Sequence, residues 1–193
     1  MNVYVIRHGQ TYTNLNRWFC GWYDVSLTPK GEEDAAMASR LLAGINFDRI
    51  YASDLLRARQ TAQIALPGCE PVLRPCLREM SVGAFTGHPV TEIEQEYGET
   101  CTYCRTSRDF SPVGGESHQM QYERVIGIFP ELESLENVEN VAVFCHEGTV
   151  KCFLSYVLGY PIDPTRLRVD NGSVSTFSYT DGKWRLLSWN KTE

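Results

Sequence analysis

Histidine is scarce in this chain, with four among 193 residues, and long apolar runs are missing altogether. No segment approaches the roughly 20 apolar residues that a membrane-spanning helix needs. Only six residues precede Arg7, too few for a secretory signal. An excess of basic residues is also lacking. The net charge of −6 excludes a polyanion-binding role for the surface as a whole, whether toward nucleic acid or toward an anionic membrane. The seven cysteines form an odd set without the spacing of a disulfide framework. Cys101-Thr102-Tyr103-Cys104 is a lone CxxC with no second pair and no neighbouring histidine cluster, so no metal and no cofactor is expected. Internal repeats, low-complexity stretches and linkers are absent as well. Residues 1–193 are read as a single cytoplasmic domain with free thiols and no membrane or nucleic-acid partner.

What is present is an apolar run that ends in charge. Val3-Tyr4-Val5-Ile6 reads as a short strand buried on both faces, and it stops at Arg7-His8-Gly9-Gln10-Thr11. An imidazole can act as nucleophile, base or metal ligand, and an adjacent guanidinium suits an oxyanion such as phosphate. Gly9 is expected to let the chain turn so that both side chains face an opening. Val141-Ala142-Val143-Phe144-Cys145 repeats the pattern, running into His146-Glu147-Gly148.

Between these strands, Thr28 and Pro29 mark a helix start, and Asp48 to Ala52 reads as a strand. Ser53-Asp54-Leu55 is expected to cap a helix through Ala65 that carries Arg57 near its start. Strand, helix, strand, helix implies an α/β fold with a mostly parallel central sheet. Functional groups then gather at the carboxyl ends of the strands. From about residue 80 to 116 the chain leaves this pattern, with one helical candidate at Val90 to Tyr97, and is expected to form a cap over the sheet edge. A long amphipathic helix should follow Gly114-Gly115-Glu116-Ser117, kinked or broken at Pro130. The helix after His146 should end at Gly159 and Pro161. Two final strands, Ser173 to Tyr179 and Trp184 to Trp189, should be joined through Asp181-Gly182 as a hairpin.

The order and spacing of Arg7-His8-Gly9-Gln10-Thr11, Asn14, Leu27-Thr28-x-x-Gly31, Ser53-Asp54-Leu55-x-Arg57-Ala58, Leu77-x-Glu79, Gly115-Glu116-Ser117 and His146-x-Gly148 resemble the histidine phosphatase superfamily, also called the phosphoglycerate mutase-like family. The resemblance covers nearly the whole chain. It implies a three-layer α/β/α sandwich and a phosphohistidine mechanism. His8 would be the nucleophile, with Arg7 and Arg57 binding phosphoryl oxygens. His146 would donate to the transferring group. Glu79 would act as proton donor and then as base, a task for which its pKa should be raised by partial burial or by the approach of the phosphate's own negative charge. Asn14, Gly9 and Thr11 would complete the phosphate pocket.

The shortness of the segment between Glu79 and His146 looks like the compact phosphatase branch, acting on a small-molecule phosphate ester. Arg105 and Arg108 in the cap keep open a mutase or a bisphosphate substrate, and an inactive binding member is a further alternative. Trp18, Phe19, Trp22, Tyr97, Tyr103 and Phe110 are candidate pocket walls. Glu147 puts a negative charge beside the pocket unless its side chain turns outward. His88 and His118 are read as surface residues, and the substrate and oligomeric state are left open.

Overall fold

The computed structural model describes residues 1–159 and 162–193; Pro161, an expected helix stop, lies outside them. The chain forms β1 (Asn2–Arg7), α1 (Tyr12–Asn16), α2 (Pro29–Leu41), β2 (Arg49–Ala52), α3 (Leu56–Ala65) and β3 (Val72–Leu73). Next come α4 (Val90–Tyr97), α5 (Glu99–Ser107), α6 (His118–Ile126), α7 (Phe129–Glu133), β4 (Asn140–Cys145), α8 (Glu147–Leu158), β5 (Val174–Thr180) and β6 (Lys183–Lys191). Among the described residues the sheet has the strand order β3-β2-β4-β1-β5-β6. The β3–β2, β2–β4 and β4–β1 pairs are parallel, and β1–β5 and β5–β6 are antiparallel.

Alternation along the two central strands builds the layers. Val3 and Val5 of β1, with Val141, Val143 and Cys145 of β4, pack against α6, α7 and α8 through Val125, Phe129, Leu132, Val150 and Phe153. Ile6, Ala142 and Phe144 point to the other face and meet Ala38 and Leu42 of the α2 region and Ala62 and Ala65 of α3. Because both faces are covered, the strands read as continuous apolar runs. This is the α/β/α sandwich expected from the sequence, with a mixed rather than wholly parallel sheet.

Thr28 caps α2 by accepting from the Gly31 N–H, with Pro29 in the first turn, as expected. The α3 cap differs. Leu55 is the capping position and has no side-chain cap, while Ser53 Oγ lies 2.8 Å from His146 Nε2. Pro130 does more than break the long helix, since it sits in the first turn of α7, where its missing N–H has no helical partner to lose. Asp181 and Gly182 both have positive φ, as a two-residue type I′ hairpin turn requires.

Residues 80–116 hold α4, as expected, and also α5, which was not. The sequence of α5, Glu99-Thr-Cys-Thr-Tyr-Cys-Arg-Thr-Ser, is poor in strong helix formers. It is held by burial of Cys101 and Cys104 in a cluster with Phe19, Met80, Val82, Phe85, Ile93 and Phe110. The CxxC motif thus serves as core rather than as an exposed thiol pair.

Gly9 shows its use here. A Cβ on Gly9 would collide with the Gly31 carbonyl, and one on Gly31 with the Gln10 carbonyl. The two glycines let the loop after β1 press backbone to backbone on the first turn of α2. Gly31→Ala is therefore expected to lose about 2 kcal/mol of stability by forcing these backbones apart, measured by denaturant unfolding. An unchanged midpoint would contradict this close approach.

Candidate active site

In the β1–β4 pairing Arg7 is in register with Cys145, so the next residues, His8 and His146, leave the sheet side by side. Their ring centroids are 5.1 Å apart. His8 Nδ1 lies 2.7 Å from the Gly9 carbonyl oxygen. A carbonyl can only accept, so Nδ1 carries the proton and the Nε2 lone pair is left free in a neutral ring. Among the described residues no protein group hydrogen-bonds Nε2, and His8 lines the pocket above the sheet edge. Burial and the charges of Arg57 and Arg7 push its pKa well below the ordinary histidine value.

Arg57 is 1% exposed. Its Nε donates to His146 Nδ1 at 3.2 Å, Nη1 to the Tyr23 carbonyl at 3.0 Å and Nη2 to the Gly21 carbonyl at 2.9 Å. One N–H on each Nη stays available. Arg57 donates to His146 Nδ1, so His146 is protonated on Nε2 and donates to Ser53 Oγ. Both His146 nitrogens are thus engaged, and the ring is fully buried behind the pocket wall. In this arrangement Arg57 and Ser53 are the partners of the two His146 nitrogens. The pKa of His146 is also pushed well down by burial and by Arg57.

Arg7 Nη1 donates to the Val169 carbonyl, and its buried Nε has no partner among the described residues. Glu147, which follows His146, turns inward. Its Oε2 stands 3.4 Å from Arg7 Nη2 and its other oxygen pairs with the buried Lys151 one turn along α8.

Glu79 lies on the loop before the cap and accepts three hydrogen bonds. Oε1 accepts from the Met80 N–H at 2.8 Å and from Gln121 Nε2 at 2.9 Å, while Oε2 accepts from the Gly148 N–H at 3.2 Å. The last is one of the unpaired donors in the first turn of α8, where negative charge is favoured. Burial raises the Glu79 pKa, but these N–H groups and the charge of Arg108 outweigh it and leave the pKa below the ordinary value. Of the two causes expected to raise it, burial alone is outweighed in the free site, because the sequence does not show the three donors.

The Glu79 loop is fastened by residues that the sequence did not single out for this. Arg124 donates to the carbonyls of Cys76, Arg78 and Glu79 and forms a double hydrogen bond with Glu116. Trp22 donates its indole N–H to the Glu79 carbonyl at 2.7 Å, with the Arg78 guanidinium over its ring at 4.9 Å. Trp22 is thus a clamp rather than a pocket wall.

The pocket, about 280 Å³, is lined by Arg7, His8, Arg57, Glu79, Asn14 and Glu147, with Arg105 and Arg108 from the cap and apolar walls from Trp18, Phe19 and Phe110. Tyr97 and Tyr103 do not line it. Thr11 is fully buried, caps α1 and fixes Asn14, whose Oδ1 accepts from the Thr11 N–H. The Asn14 NH₂ is left as the pocket donor. Gly9 and Thr11 therefore stand behind the pocket rather than in its wall. Arg105 pairs with Glu94, whereas Arg108 has no ion-pair partner among the described residues. His88 is exposed and His118 half-buried.

The family model for the histidine phosphatase superfamily (branch 1) matches residues 3–192. The chain belongs to this superfamily. It is 32% identical over 193 residues to the probable phosphoglycerate mutase GpmB of Enterobacter sp. (strain 638), covering 98% of this chain and 90% of that protein. Its structure is similar to the α-ribazole phosphatase of Shigella flexneri, with a TM-score of 0.91, 26% identity and coverage of 100% and 97% of the two chains. It is also similar to a mycobacterial glucosyl-3-phosphoglycerate phosphatase, with a TM-score of 0.85, 26% identity and 98% of each chain covered.

Both histidines have folded pKa values below their unfolded ones. The unfolded chain therefore takes up protons first as pH falls. The stability owed to the neutral rings is complete above about pH 6.5 and is lost progressively below it. Ring ¹⁵N shifts should find both histidines neutral at about pH 6, where a free imidazole is mostly protonated, with His8 carrying its proton on Nδ1 and His146 on Nε2. A cationic ring at that pH would contradict the arrangement.

Proposed function

We propose that the protein is a cytoplasmic phosphomonoesterase that hydrolyses a small-molecule phosphate ester through a phosphohistidine on His8, without a metal. The observation that carries this reading is the buried His8, with its proton held on Nδ1 by the Gly9 carbonyl and its Nε2 lone pair opening into an arginine-lined pocket. Membership of a superfamily whose similar structures include named phosphatases supports it. So do the free cysteines, four of them buried, and an acidic surface unsuited to nucleic acid. We read residues 1–193 as one working domain, with residues 80–116 as the cap over its pocket.

In the first half-reaction His8 Nε2 attacks phosphorus and the bond to the leaving oxygen breaks. Arg7 Nε and the remaining Arg57 N–H groups hold the phosphoryl oxygens, with the Asn14 NH₂ beside them, and a hydrogen bond to a charged group of this kind contributes about 1.5–3 kcal/mol. Glu79 supplies the proton to the leaving oxygen. Its carboxylate is ionised in the free site, so the proton arrives with the ester, whose negative charge raises the affinity of Glu79 for it. In the second half-reaction the ionised Glu79 takes a proton from water, which attacks the phosphohistidine and frees inorganic phosphate. His146 acts on both steps through Arg57. The guanidinium groups of Arg7 and Arg57 supply the electrostatic stabilisation that phosphoryl transfer needs.

Arg108 favours a second reading, in which the phosphoryl group returns to a bound sugar acid as in a mutase, because it offers an unpaired cation for a second anionic group. Release of inorganic phosphate from a panel of phosphomonoesters, in excess chelator, separates the two. The phosphatase reading expects hydrolysis that falls at least ~10³-fold in His8→Ala and ~10²–10⁴-fold in Glu79→Gln. Hydrolysis that persists in His8→Ala would overturn it. Isomerisation of 3-phosphoglycerate after priming with 2,3-bisphosphoglycerate, without hydrolysis, would establish the mutase. For esters with a second anionic group, Arg108→Ala should raise KM about tenfold or more while leaving p-nitrophenyl phosphate nearly unaffected. Equal effects on both substrates would remove Arg108 from recognition.

A further inference from the structure

Gln121 is fully buried on α6, an uncommon place for an amide unless its polar atoms are matched. Only one of them is. Nε2 donates to Glu79 Oε1 at 2.9 Å, while Oε1 is buried without a donor among the described residues. Both amide atoms lie close to Glu79. A Cβ on Gly148 would fall against Glu79 Oε1, Gln121 Nε2 and Gln121 Oε1 together, so the three atoms surround one small space that only glycine leaves open. An orphaned carbonyl oxygen here is costly while Glu79 is ionised. Once Glu79 carries a proton, that oxygen is the acceptor its hydroxyl needs.

We infer that Gln121 is a positioning residue for Glu79, whose amide donates to the carboxylate and, after a half-turn about its last bond, accepts from the carboxylic acid. The inference rests on the proposed acid–base role of Glu79. Glu79 must change protonation state in each half-reaction, and a rotating amide gives Oε1 a donor while the group is ionised and an acceptor when Oε1 holds the proton, which the amide releases by turning back before it passes to the leaving oxygen. The other groups facing Glu79 cannot alternate in this way. The Met80 and Gly148 N–H groups only donate. Arg57 from α3, Arg108 from the cap and Arg124 from α6 stay cationic. Cys145 from β4 and Cys152 from α8 have thiols pushed up by burial, Cys152 to about 12, so they stay neutral. Glu116 on the far side is held by Arg124.

The test compares wild type with Gln121→Met, which keeps length and removes both polar atoms, and with Gln121→Glu, which keeps shape and can fold where the first variant does not. Glu79 is titrated directly by ¹³C NMR of the side-chain carboxyl, assigned by its loss in Glu79→Gln, and kcat and kcat/KM are followed against pH. In Gln121→Met the Glu79 midpoint should rise by about one pH unit, because a donor to the charged form is gone. The limb of the pH–rate profile assigned to Glu79 should move with it. Gln121→Glu should raise the midpoint at least as far, since two adjacent carboxylates resist double ionisation. In wild type the Gln121 amide ¹⁵N–¹H signals should shift with the Glu79 midpoint. A folded variant with unmoved Glu79 midpoint and limb and a uniformly lower kcat would reduce Gln121 to a packing residue. Amide signals blind to Glu79 would overturn the half-turn. The NMR titration needs no substrate, so it decides the inference even where no ester is hydrolysed.

Discussion

The hydrogen bond from His8 Nδ1 to the Gly9 carbonyl is the contact on which the rest of the site depends. It fixes which nitrogen faces the pocket, and burial together with the charges of Arg57 and Arg7 keeps that nitrogen unprotonated. Much of the surrounding architecture holds this bond in place. The β1–β4 register brings the two histidines together, the Gly9–Gly31 contact leaves the loop after His8 little freedom, and Asn171 donates to the His8 carbonyl from the turn before β5. A histidine assembled on strand ends in this way is positioned by the sheet itself and not by a mobile loop.

The carboxylate of the pocket is organised differently. Glu79 sits on irregular chain, and its fixity comes from outside, through Arg124 and Glu116 on one side and the Trp22 indole on the other. Glu116 belongs to the Gly115-Glu116-Ser117 motif that precedes α6. It orients Arg124 and through it the acid loop, while Ser117 caps α6. Glu147 likewise resolves into a pocket residue whose charge is matched by Arg7 and Lys151. The Glu147 carboxylate is drawn toward Lys151, and Arg7 Nε is left without a partner among the described residues.

The sandwich was legible in the sequence because its strands are short apolar runs and its helices carry caps and stripes that local pattern reveals. Arg7, His8 and Arg57 were legible for a related reason, since they stand at a strand end or in a first helical turn, whereas Glu79 and Asn14 were named through the family resemblance and also line the pocket. What escaped depends on distant pairing. The sequence says nothing of three donors converging on Glu79 from residues 80, 121 and 148, which outweigh its burial in the free site. It also could not tell that Ser53 and Arg57 would engage both nitrogens of His146. A polar Gln121 in the apolar stripe of α6, beside Val125, was the one local signal that something buried needed a partner there.

The most direct test of the account is a rapid quench of the protein with a good phosphomonoester substrate into alkali, where a phosphorus–nitrogen bond survives, followed by peptide mass spectrometry. The account predicts one phosphoryl group, on Nε2 of His8, formed and lost at rates that match turnover. Turnover without a phosphoenzyme, or a phosphoryl group carried on any other residue, would contradict it.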